Sequence, residues 1–213
     1  MTTSTGHTVA TIGVEAPPPP LNQSMLPLLY GLDTVMLGFL FAGVMVLQEK
    51  THGTVRFYRV SPGGTARYVA SKVLVLTVVA LTGGAAATAI VMPAGLLEPR
   101  LVLLLALATA SLTLLGLGLA VFYDNLSQFF YPMAGVGLLL SLPMVRYGLP
   151  SAGMAWTWWI PTDPVMFAGR ELLLPAGRGD LIGSSLLYLA AVLVVASIGA
   201  TLLIHRRLMK EAL

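Results

Sequence analysis

Five long apolar runs, at roughly 28 to 48, 73 to 93, 101 to 122, 129 to 147 and 182 to 204, constrain this chain more than anything else in it. A helix rises ~1.5 Å per residue, so roughly 20 apolar residues cross the ~30 Å hydrocarbon core of a bilayer. The runs predict an all-α polytopic membrane protein with about five transmembrane helices. Composition agrees: 56% of the residues are hydrophobic and 10% are charged, with a mean hydropathy of +0.85, against a charged fraction of about 25% in soluble domains. A chain of 213 residues spends about half of its length on such spans. One transmembrane domain over residues 25 to 213 is expected, with no separately folded soluble domain.

Residues 1 to 24 read differently. They are rich in Thr, Ser and Pro, contain the run Pro17 to Pro20 and carry Glu15 as their only charge. This is an extended or disordered tail, without the basic and apolar regions of a cleavable signal peptide. The segment from 148 to 181 is too interrupted for a span, with Pro150, Pro161, Pro164 and Pro175 and with Arg170, Glu171, Arg178 and Asp180. Its middle, roughly Asp163 to Leu174, is expected to form a short helix that dips into the interface or re-enters it. Trp156, Trp158 and Trp159 suit the headgroup level.

Basic residues set the orientation. With the loop 49 to 72, the loop 123 to 128 and the tail from His205 inside, eight Lys or Arg are cytoplasmic: Lys50, Arg56, Arg59, Arg67, Lys72, Arg206, Arg207 and Lys210. Arg100, Arg146, Arg170 and Arg178 lie outside. The bias places the N-terminus outside and the C-terminus in the cytoplasm of a cell membrane. The net charge of +3 therefore reflects topology and lipid headgroups as partners rather than nucleic acid. The chain has no cysteine, which excludes disulfides and thiolate metal sites. His7, His52 and His205 are scattered, so no metal cluster is legible, and neither hydrolase motifs nor a phosphate-binding G-x-x-x-x-G-K-[ST] loop occurs.

The densest chemistry lies in the elbow at 49 to 72. Glu49 to Val60 has length for about three helical turns before Pro62-Gly63-Gly64 breaks them, and Thr65 is placed to cap the next helix. Val55 and Tyr58 share one side of the first helix, Arg56 and Arg59 another. An ordinary basic loop on anionic lipid would look similar.

The order Glu49-Lys50-x-x-Gly53-Thr54, then Ser61-Pro62, then Tyr68-x-x-x-Lys72 resembles the coupling-helix region of type-2 ATP-binding-cassette (ABC) exporter permeases. Asp33 to Phe39, Gly116 to Ala120 and Trp159-Ile160-Pro161-Thr162-Asp163-Pro164 extend the likeness, which is greatest to the fluoroquinolone-export-type branch. The resemblance implies a permease subunit that exports a drug-like, lipid or other amphiphilic substrate. Its partners would be separate ATPase subunits and a second permease copy, identical or different. This chain would bind no cofactor, ATP and magnesium being held by the ATPase. Carried over by position, Glu49, Gly53, Thr54, Arg56, Arg59 and Pro62 form the docking element, with Lys72 anchoring the following span. The family usually has six spans, so either one lies upstream of Met1 or this member works with five. Ala66-Arg67 also stands where many relatives carry an acidic residue. A non-transporting membrane protein, a lipid-acting enzyme or a scaffold, is the alternative reading.

Within the spans, Asp33 is the one ionisable residue clearly inside a run. A charge there is costly, by roughly 2.5 to 3.5 kcal/mol at the bilayer centre, so it should face protein or water. Arg146, near the outer end of the fourth run, is a candidate partner, and Asp33 serves interfacial snorkelling, structural pairing or a transport path. Thr77, Thr109, Ser111, Thr113, Ser141 and Ser197 either line such a path or bond to their own helix backbone.

Overall fold

A computed structural model describes residues 19–53, 64–93, 95, 98–175 and 178–210. Its long helices are α1 (Leu21–Thr51), α2 (Gly64–Val91), α3 (Pro99–Ala120), α4 (Leu126–Gly148) and α6 (Gly179–Ile204), separated between α4 and α6 by the short α5 (Thr162–Leu173). Among the described residues, five helices are long and apolar enough to cross a membrane. α1, α4 and α6 each contain one of the expected runs, and α2 and α3 each cover one except for its last two residues.

Four of the five helices are longer than their runs because polar residues propagate a helix once it is nucleated. α1 opens at Leu21, within the stretch expected to belong to the tail. The fixed φ of −54° at Pro20 suits a helix entry, and the Pro20 carbonyl accepts from the amides of Gln23 and Ser24. α2 likewise starts at Gly64, so Thr65 lies inside its first turn instead of capping it. The Thr65 hydroxyl is 3.3 Å from His205 Nδ1. Elsewhere the caps follow sequence: the Asn125 side chain accepts from the Gln128 amide at 2.9 Å, and Pro99 occupies the first turn of α3.

α3 is the hub. In its most apolar window 72% of residues are buried, against 22% in α2 and 17% in each of α4 and α6; α1, α2, α5 and α6 pack against it, and the outer helices turn their far sides away. Leu74, Val78, Phe130, Leu138, Leu187 and Val195 stand on those outer sides and are exposed. In a bilayer such rows meet lipid or another apolar surface.

α1 approaches α3 unusually closely. Its central stretch Thr34–Phe41 winds as a π-helix, and two glycines let the backbones meet. A Cβ added to Gly38 would lie 3.0 Å from Leu112 Cβ and 3.1 Å from the Thr109 carbonyl, and one added to Gly116 would strike the Phe39 carbonyl oxygen. Small residues permit such crossings, and van der Waals contact then holds the helices together without a hydrophobic drive between them. Thr109 and Thr113 are fully buried at this crossing. They are sealed in the core instead of lining a path. Ser111, Ser141 and Ser197 bond back to the carbonyls of Leu107, Gly137 and Val194.

The short helix α5 lies in the segment expected to hold one. Of its twelve residues only Arg170 is exposed. A helix lying flat on an interface would keep a whole wet face. α5 instead packs between α1, α3, α4 and α6, with Val165, Met166 and Ala168 at 0% exposure.

Candidate functional site at the root of the elbow

The two ends of the elbow are fastened to each other. Glu49, in the last turn of α1, accepts a hydrogen bond from the Tyr68 hydroxyl at 2.6 Å and pairs with the Lys72 ammonium, both from the first turns of α2. Tyr68 is fully buried, and the side chains of Lys72 and Glu49 keep only 12% and 19% of their exposure. The Lys72 ammonium also stands 5.7 Å from the centre of the Tyr68 ring. The i, i+4 spacing of Tyr68 and Lys72 puts both on one side of α2, where a single carboxylate reaches them.

The neighbouring Lys50 reaches a third helix. Its ammonium donates to the carbonyls of Val121 (2.9 Å) and Tyr123 (2.6 Å) just past the end of α3. Those carbonyls have no partner within their own helix, and the negative end of the α3 dipole favours a cation there. Two adjacent residues thus bind α1 to α2 and α3 at the same level. Nothing local in sequence signals the Lys50 contact, because backbone carbonyls are anonymous until the fold brings them near.

The helix then ends at once. His52 donates to the Gln48 carbonyl, Gly53 donates to that of Lys50, and Gly53 takes a φ of +70° with open space around it. This is the left-handed residue that closes many helices, a conformation in which a Cβ is strained. Gly53 therefore closes α1. Thr54, Arg56, Arg59 and Pro62 of the expected docking element lie outside the described residues. Of that element, then, Glu49, Gly53 and Lys72 are placed, and two of them brace each other.

At the opposite end of the bundle, Arg146 meets a different partner from the one expected. Its guanidinium donates to Asp163 Oδ2 at 2.7 Å and stacks 4.6 Å from the Phe167 ring. Asp163 is nearly withdrawn from water, at 7% exposure, while Arg146 keeps 28% of its side-chain exposure. Thr157 donates to the same carboxylate oxygen at 3.0 Å. Burial pushes the Asp163 carboxyl above its usual range, and the Thr157 hydrogen bond and the Arg146 charge pull it back. The Asp33–Arg146 pairing is thus corrected: α5 inserts its own carboxylate beside Arg146. The signal was present in the stretch Trp159 to Pro164, where Asp163 is the only acid, but chain separation hid its pairing.

Asp33 lies more than three turns into α1, where the α-helical stretch passes into the π-wound one. It is half-buried and faces the bare backbone of Gly83 on α2; its carboxylate oxygens lie 3.6 and 4.0 Å from where a Cβ on that glycine would be. Among the described residues no group of three His, Cys, Asp or Glu side chains is gathered as metal ligands.

These contacts make a membrane bundle with a rigid fixture at one loop and no assembled catalytic group among its described residues. No curated protein and no solved structure matches the chain. A family model described as "Fluoroquinolones export permease protein Rv2686c-like" matches residues 17–204. The match covers most of the 213 residues, from just before α1 to the end of α6, and the chain belongs to this family of export permeases.

Proposed function

We propose that this chain is the membrane-spanning permease subunit of an ABC exporter, moved by ATP hydrolysis on separate ATPase subunits that hold the ATP and magnesium. A second permease copy, identical or different, completes the path, because five spans form a small bundle around a filled centre. The substrate is an amphiphile. The family is described as exporting fluoroquinolones, which are drugs of this kind. The charge bias favours an external N-terminus and a cytoplasmic elbow, with α5 as a re-entrant plug on the external side.

The observation that carries this reading is the triple fastening at the elbow: Glu49 to Tyr68 and Lys72, and Lys50 to the end of α3. A loop rooted this way cannot be displaced alone. A push on it must move α1, α2 and α3 as a body, which is what transmission from an ATPase requires. Docking is assigned to Gly53, Thr54, Arg56, Arg59 and Pro62 beyond the brace, and transmission to Glu49, Lys50 and Lys72.

The two roles separate experimentally. With a copurified ATPase, Arg56→Glu is expected to abolish capture of that subunit, since it reverses a docking charge. Glu49→Gln is expected to preserve capture while lowering substrate-stimulated ATP turnover about three- to tenfold, the usual range for a broken coupling contact. Unchanged complex formation and turnover in both variants would end the assignment. Orientation has its own check, because the chain lacks cysteine. A lone thiol at Thr54→Cys should react with an impermeant maleimide in inside-out vesicles and stay silent in intact cells; the reverse pattern would put the elbow outside.

A further inference from the structure

The carboxylate of Asp33 has no hydrogen bond or ion pair among the described residues. It opens into a pocket of about 380 Å³ between α1 and α2, walled by Tyr30, Leu32, Met36, Gly83, Gly84 and Ala87. The volume is that of a small-ligand site. The one other polar group in the wall is already used, because the Tyr30 hydroxyl bonds Thr88 Oγ1 at 2.6 Å. Counted along α2, Gly83 is eleven residues beyond Lys72, or roughly 16 Å from the elbow brace at ~1.5 Å per residue. That depth is well inside the apolar part of the bundle.

An unpaired carboxylate in such surroundings is expensive, and it is relieved by taking up a proton or by pairing with a cation. The walls are aliphatic and aromatic, so the cation must be carried on an apolar body. We infer that Asp33 and the α1–α2 pocket form a binding site for amphiphiles bearing a protonated amine, the amine held by the carboxylate against the bare backbone at Gly83. Gly83 and Gly84 leave the space, and the passage into π-winding directly after Asp33 fits a site that shifts during transport. The transport role rests on the exporter reading; the binding site does not.

The test uses the full chain in phosphatidylcholine nanodiscs, with a dansyl-labelled alkylamine and its uncharged N-acetyl counterpart as probes. Wild-type protein is expected to bind the amine at least about tenfold more tightly than the acetamide, a difference of ~1.4 kcal/mol. Asp33→Asn should erase that preference while still binding the acetamide, which also shows that the variant is folded. Asp33→Glu should retain most of the preference, and Gly83→Leu, which fills the pocket, should weaken both probes. Equal binding of the two probes by wild type, or an unchanged preference in Asp33→Asn, would overturn the site. So would loss of a dimer in Asp33→Asn with amine binding intact, which would give the groove to a second copy of the chain. Charge-selective binding without ATP-driven export of the amine in a reconstituted complex would sink the exporter reading and leave the site in place.

Discussion

Exchange of Gly116 for valine is expected to remove the folded protein. The site is the crossing of α1 and α3, where any Cβ on Gly116 runs into the carbonyl oxygen of Phe39, with Ala42 Cβ only 3.2 Å away. The obstacle is backbone, which cannot rotate aside as a side chain can. Overpacking commonly costs 1 to 3 kcal/mol, and a backbone obstruction at the hub helix belongs at about 3 kcal/mol or above. Because α3 packs against α1, α2, α5 and α6, its displacement spreads through the bundle. Gly135→Val is the matched control, since a Cβ there meets nothing within 4 Å. The measurement is the yield and melting temperature of the two variants after mild-detergent extraction. Wild-type melting of Gly116→Val would show that the close crossing is not what holds α1 on α3.

The second large effect lies at the other end of the bundle. Asp163→Leu leaves the Arg146 guanidinium, with 28% of its side chain exposed, without its counter-charge and leaves Thr157 without its acceptor. Removing one partner of a buried pair costs about 3 to 5 kcal/mol, much of it the penalty of the stranded charge. The loss is expected to release α5, which the same region also ties by the Thr162 hydroxyl to the Leu140 carbonyl at 2.5 Å and by the Tyr188 hydroxyl to the Trp159 carbonyl. Replacing both members, Arg146→Leu with Asp163→Leu, should recover a substantial part of the stability, because no charge is then stranded. A thermal-melting cycle of the single and double variants reads this directly. Additive losses would mean that the pair contributes nothing jointly and that α5 is held by packing alone.

Asp163 and Asp33 mark the boundary of what the sequence discloses. Both are acids in apolar company, and Arg146 was the only nearby cation that sequence offered to Asp33. The fold gives Arg146 to Asp163, because α5 tucks under the end of α4, and leaves Asp33 facing a glycine on α2. The Lys50 contact was equally hidden, since its acceptors are backbone carbonyls more than seventy residues away. By contrast, the motif Glu49, Tyr68 and Lys72 was visible as a pattern, and the structure supplies the reason for its spacing: one carboxylate answers two donors a helical turn apart.

Sequence alone determined the number of long helices, their approximate limits, the short helix before the last span and the membrane character of the whole. Hydrocarbon thickness and the need to bond every backbone group internally leave few other outcomes for runs of this length. Tertiary structure decided which charge meets which, which glycines are crossings and which are open, and that α3 is the hub. Those depend on how helices lie against one another, and the same apolar side chains serve equally well against lipid or protein. Hydropathy therefore places a helix in the bilayer but does not choose its neighbour.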